Sequence, residues 1–151
     1  ILSKYSMFNS DYVVGLVDGE GSFTVYVRDP NEKKELKRRV KAEPRFYLKL
    51  VEKDKKILYK LKEFFGCGNV YFQKDTRSTH QNCYRYEVAN RKDLRERIIP
   101  FFKLNKLNLP SKSKDFDIFC KLVKMMEDGK HLNPEGLRKM YRIKQKMHQS
   151  T

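Results

Sequence analysis

Residues 12–23, Tyr12-Val13-Val14-Gly15-Leu16-Val17-Asp18-Gly19-Glu20-Gly21-Ser22-Phe23, constrain this chain more than any other stretch. Asn9 or Ser10 can cap a helix over residues 10–20, in which Tyr12, Val13, Leu16 and Val17 supply the apolar positions. Gly15 and Gly19 are four apart and share one face of that helix. Each costs about 1 kcal/mol relative to alanine in a helix interior, so two in one short helix call for a reason. Missing side chains let backbones approach, and close packing against another helix is the natural use of such a face. Asp18 and Glu20 fall at the end of the helix, where acids oppose the macrodipole. A solvated helix end with a glycine cap would read the same way, but a hard cation held by oxygen ligands offsets the repulsion. At Ser22 the period changes. Phe23, Val25 and Val27 point one way, and Ser22, Thr24, Tyr26 and Arg28 the other.

The remaining pattern extends this start into a sheet with helices. Residues 29–38 are a charged loop. A second strand over residues 39–51 turns Val40, Ala42, Phe46, Leu48 and Leu50 inward and Arg39, Lys41, Glu43, Arg45, Tyr47 and Lys49 outward. Pro44 within it implies an edge position or a bulge. Residues 54–65 carry a helical apolar stripe that Gly66 ends. Strands over residues 68–73 and 83–89 flank a polar hairpin loop holding Arg77 and His80. Val70 and Phe72 alternate there with Asn69, Tyr71 and Gln73, and Tyr84, Tyr86 and Val88 with Cys83, Arg85 and Glu87. Helices are expected at about 91–103, 112–128 and 134–148, the last begun by Asn133 and Pro134. The order α-β-β-α-β-β-α-α-α predicts an α+β fold in one domain, residues 1–151. Its four-stranded antiparallel sheet is covered by helices on one face and open on the other. The open face is polar, basic and aromatic, a saddle for a ligand.

Charge narrows the ligand. Thirty-four Lys and Arg against nineteen Asp and Glu leave a formal charge of +15. Such an excess favours a polyanion, since each neutralised phosphate releases condensed counterions. A membrane surface or an acidic protein is the competing partner. Three cysteines, Cys67, Cys83 and Cys120, lack metal-ligand spacing, and their odd count fits a reducing intracellular setting better than a disulfide framework. No apolar run approaches the roughly 20 residues that cross a bilayer, and no signal segment is visible. An intracellular protein is expected, in a bacterial or archaeal cytoplasm or an organelle, and neither secreted nor membrane-bound.

The stretch Val13 to Gly21 resembles the nine-residue motif of the LAGLIDADG homing endonucleases. Gly15, Leu16, Asp18 and Gly21 are identical to it, Val17 is conservative, and Gly19 and Glu20 are familiar variants. The resemblance continues through residues 46–70, Tyr84-Arg85-Tyr86-Glu87-Val88, Ile98-Ile99-Pro100-Phe101-Phe102 and Asp115-Phe116-Asp117-Ile118-Phe119. His131-Leu132-Asn133-Pro134-Glu135-Gly136-Leu137 resembles a C-terminal signature of the intron-encoded branch. The resemblance implies an αββαββα fold with a DNA-binding saddle and extra C-terminal helices. It implies that motif helices pack in pairs through Tyr12, Gly15, Leu16, Asp18 and Gly19, with Asp18 capping or organising them. It also implies that Glu20, with the Gly19 carbonyl, binds a divalent ion: Mg²⁺, with Mn²⁺ or Ca²⁺ able to occupy the site. Such an ion activates water for in-line attack on a phosphodiester. The family's basic residue falls at Lys112, with Lys114 and Lys106 as alternatives, and Lys49 is a further polar candidate. Single-motif members of this length are homodimers that make a double-strand break in a long, pseudo-palindromic DNA target and leave short 3′ overhangs.

Arg and Lys pair with guanine, and Gln or Asn with adenine, in the major groove. Tyr26, Arg28, Arg39, Lys41, Arg45, Tyr47, Tyr71, Gln73 and Arg85, with Arg77 and His80 of the hairpin loop, are therefore the candidate DNA contacts. The basic residues of the last helix, Arg138 among them, read more simply as a solvated face. Three rival functions share these features: an intron maturase that binds RNA, a catalytically inactive DNA-binding protein on the same fold, and a basic structural protein with a chance motif. The acid at Glu20 favours cleavage over the first two, and the extent of the resemblance disfavours the third.

Overall fold

The computed structural model describes residues 8–32, 40–74 and 81–149. Helix α1 (Ser10–Glu20) starts where the Asn9 side chain accepts the Tyr12 N–H at 2.9 Å. It passes directly into strand β1 (Gly21–Val27). Gly21 makes that junction possible, because a Cβ there would lie 2.7 Å from Val17 Cγ1 and 2.9 Å from the Val17 carbonyl oxygen. After β2 (Ala42–Val51) and a 3₁₀ turn (Glu52–Asp54) comes α2 (Lys55–Phe65), then β3 (Asn69–Gln73) and β4 (Cys83–Val88). The four strands form one antiparallel sheet in the order β1-β2-β4-β3.

Alternation sorts the strands as expected except at Val40, which was placed inward but lies before the start of β2 and is exposed. Phe23, Val25, Val27, Phe46, Leu48, Tyr86 and Val88 are buried in one core with the helices. Phe23 stacks on Phe46 at 5.0 Å between ring centroids and meets Phe102, Phe116 and Phe119 at 5.5, 5.1 and 5.3 Å. The buried Tyr86 hydroxyl donates to the Cys67 carbonyl at 2.9 Å, which satisfies its polar atom. Pro44 sits in an interior strand, yet its site is locally an edge. β4 pairs with β2 only from Phe46 onward, and the register with β1 runs past Pro44 without a bulge. At the outer strand β3 the inward phase weakens: Val70 packs against the core, but Phe72 is 52% exposed, its ring 5.4 Å from that of Tyr84.

The helices after the sheet depart from their expected outlines in two places. The helix over residues 91–104 contains a π-helical turn, Leu94–Ile98, between α3 (Arg91–Asp93) and α4 (Ile99–Leu104). Pro100 has no N–H to give the Glu96 carbonyl, and a widened turn accommodates that loss. α5 spans Pro110–Glu127, and a 3₁₀ turn (Lys130–Leu132) leads to α6 (Pro134–Lys144). α6 ends four residues before the expected 148 because the chain turns back to bury Met147. There Asp115 accepts the His148 N–H at 3.0 Å and faces its Nδ1 at 3.0 Å. Cys67, Cys83 and Cys120 are unpaired.

Candidate nucleic-acid interface and cleavage centre

The two acids of α1 stand about 200° apart on the helix, and their surroundings differ accordingly. Asp18 is 8% exposed. Its carboxylate accepts the Asn108 N–H at 2.9 and 3.1 Å, the Leu109 N–H at 3.2 Å and the Asn108 side-chain amide at 3.2 Å. It therefore fastens α1 to the segment that opens α5. Glu20 is exposed, and its carboxylate has no partner among the described residues. The carbonyls of a last helical turn lack intrahelical partners as well, so this end offers only oxygen donors.

Two lysines border this end. Lys112, in the first turn of α5, donates through Nζ to the Gly21 carbonyl, one residue past Glu20. The Asp18 bonds to Asn108 and Leu109 set the position from which it reaches. Lys106 and Lys114 are exposed and make no such bond. Lys49 is exposed, and the pairing of Leu48 with Gly21 brings it to the end of β2 beside the α1–β1 junction. Glu20, Lys112 and Lys49 thus gather at one end of the open face.

That face is built of cross-strand rows. Ser22, Tyr47, Glu87 and Asn69 form one, Lys49, Arg85 and Tyr71 the next, and Tyr26 pairs with Glu43 farther out. The Arg85 guanidinium lies 3.7 Å from the Tyr47 ring centroid and 3.1 Å from the Glu87 carboxylate. Arg45 is 2.8 Å from Glu43 and 3.7 Å from Glu87. Glu43, chiefly through its hydrogen bond, holds the Arg45 guanidinium above its ordinary value. Sequence reasoning placed these groups on one face but missed that two carboxylates hold the arginines. The signal was present as Glu43-x-Arg45 and Arg85-x-Glu87, an i, i+2 spacing that keeps both charges on one side of a strand. Gln73 is exposed at the far end of β3. Arg28 and Lys41 lie beyond the Tyr26–Glu43 row, joined by an N–H···O bond of 2.8 Å. Arg39, Arg77 and His80 lie outside the described residues.

The outer face of α1 carries Tyr12, Gly15, Leu16 and Gly19 at i, i+3, i+4 and i+7. Tyr12 is 39% exposed, and a Cβ added at Gly15 or Gly19 would meet nothing within 4 Å. Nothing among the described residues accounts for those two glycines.

The model of the family described as LAGLIDADG endonuclease matches residues 13–123. The chain belongs to the LAGLIDADG endonuclease family. Among the relatives of this LAGLIDADG chain is a Neurospora crassa protein named "Probable intron-encoded endonuclease 3". It is 33% identical over 151 residues, covering 95% of this chain and 26% of its own length. The homing endonuclease I-TnaI superposes with a TM-score of 0.76 at 33% identity, covering 95% of this chain and 90% of its own. The LAGLIDADG homing endonuclease I-GzeII, solved in complex with its DNA target, gives a TM-score of 0.77 at 28% identity, over 95% of this chain and 45% of its own. The LAGLIDADG chain thus spans about a quarter of the first curated relative, half of one solved neighbour and nearly all of another. Among the described residues no helix is long and apolar enough to cross a membrane.

Proposed function

We propose that this chain is one endonuclease domain that cuts both strands of a long DNA target as a homodimer. The single observation that carries this reading is the exposed, unpartnered Glu20 at the end of a helix whose outer face is notched by glycines. One chain supplies one such carboxylate. Among the described residues no group of three or more His, Cys, Asp or Glu gathers to hold a metal alone. Two copies packed through Tyr12, Gly15, Leu16 and Gly19 would bring two Glu20 carboxylates together.

The donors present fit a divalent cation of the Mg²⁺ class: a carboxylate with no competing ion pair, beside backbone carbonyls such as that of Gly19. When bound, it would supply Lewis-acid chemistry to the scissile phosphate. Lys112 sets a positive charge against the Gly21 carbonyl, where it can screen the phosphodiester. Lys49 adds a second charge from β2. The open face orients the duplex through Tyr26, Arg45, Tyr47, Tyr71, Gln73 and Arg85, with Arg28 and Lys41 farther out. Unpaired cysteines are compatible with a reducing cellular or organellar compartment.

A plasmid library carrying random inserts, incubated with the protein and Mg²⁺ and selected for linear product, tests the reading. Cleavage at a nearly symmetric site with short 3′ overhangs is expected. Glu20→Gln should bind the selected site without cutting it, and equal cutting by that variant would overturn the role of Glu20. The lengths of the relatives support a second reading, in which the chain is one half of a longer two-motif protein. In that case the free chain sediments as a monomer, and its selected half-sites show no dyad.

A further inference from the structure

The signature His131-Leu132-Asn133-Pro134-Glu135-Gly136-Leu137 takes no part in cleavage as proposed, yet most of it is explained by the turn from α5 to α6. The Asn133 side chain caps α6 by accepting the Gly136 N–H at 2.7 Å. A Cβ at position 136 would collide with the Lys130 carbonyl, so the turn admits only glycine. Leu137 is buried in the core. His131 is left over. Its Nδ1 is buried and bonds to nothing among the described residues, an exception among buried polar atoms that calls for a partner.

His131 lines a cavity of about 220 Å³ with Arg28, Lys41, Asn133, Leu137 and Arg138. No carboxylate lines it among the described residues. Burial first, and then the charges of Arg91 and Lys41, hold the imidazole below the ordinary histidine value. Glu127 acts in the opposite sense, and the basic character of the wall itself comes from its lining residues Arg28, Lys41 and Arg138. Arg28 and Lys41 continue the cross-strand rows one step outward from Tyr26 and Glu43, so the cavity adjoins the end of β1 opposite Glu20.

We propose that this pocket receives a backbone phosphate of the duplex, held by Lys41 and Arg138 and by a hydrogen bond from His131 Nδ1. It rests on the duplex lying along the open face, and it moves Arg138 from a solvated helix face into the DNA footprint.

Anisotropy of a fluorescein-labelled random-sequence duplex, measured across a series of KCl concentrations, tests the pocket with the wild type, Arg138→Ala and Lys139→Ala. Each variant removes one charge from α6, but Lys139 does not line the cavity. Arg138→Ala should weaken binding about threefold to tenfold and reduce the salt slope by about one, uniformly across sequences. Lys139→Ala should leave the slope unchanged. Equal losses in both variants, or none in either, overturn the pocket. Ring-nitrogen NMR of His131 gives a second measure, its titration midpoint rising when the duplex binds. A full rise with inorganic phosphate alone would mark a free-anion site and overturn the DNA assignment. A wild type that binds duplex and depends on Arg138, but cuts no selected target, would support the pocket while removing the nuclease reading.

Discussion

Asp18 and Glu20 show how two like residues on one short helix take different work from their direction alone. Asp18 is enclosed, and its carboxylate gathers two backbone N–H groups from the segment before α5. Asp18→Ala would leave both part-buried donors without their charged acceptor, a loss of about 2–3 kcal/mol. Urea denaturation should show that loss, and cleavage should fall with it because Lys112 loses its anchor. A stability equal to wild type would mean water replaces the carboxylate. Both acids were legible in the sequence as the end of one helix, and the exposure of Glu20 suits the role proposed for it. That Asp18 reaches Asn108 was not legible, since its partner lies 90 residues away and no local spacing records the contact.

At the scale of elements, α1 is two helices in one. Val13, Val14 and Val17 face the core, Tyr12, Gly15 and Gly19 face outward, and Leu16 lies half-buried between the two sides. Gly15→Leu would find open space within the chain, so the fold should be kept and helix propensity should rise by about 0.5–1 kcal/mol. Self-association should be lost, which sedimentation velocity measures against an unchanged circular dichroism spectrum. A dimer that survives this change would place the interface elsewhere. Strands were easier to read than helix ends, because alternation repeats at every residue while a helix end depends on what it meets. Pro100 produced a π turn and not a break, and α6 stopped early because Met147 had a place in the core. Neither outcome is written in a local pattern.

For the molecule as a whole, the charge of +15 matters less than where it is held. Glu43 and Glu87 stand among the arginines of the open face and hold Arg45 and Arg85 in place within the chain itself. In the proposed DNA complex, loose attraction to any phosphate would thereby be reduced, and a correct base pattern would have to compete with a carboxylate to win each guanidinium. Glu87→Gln should tighten binding to random-sequence duplex, steepen its salt dependence by about one phosphate contact, and narrow the gap between selected and random sites. An unchanged salt slope would mean Glu87 does not restrain the arginines. The sheet's alternation has a further result for inheritance. Along β1, Phe23, Val25 and Val27 maintain the folded chain, and Ser22, Thr24 and Tyr26 lie on the open face. Under the proposed function, a lineage could therefore drift to a new DNA address by changing every second letter of a strand, while the neighbouring letters keep the protein intact.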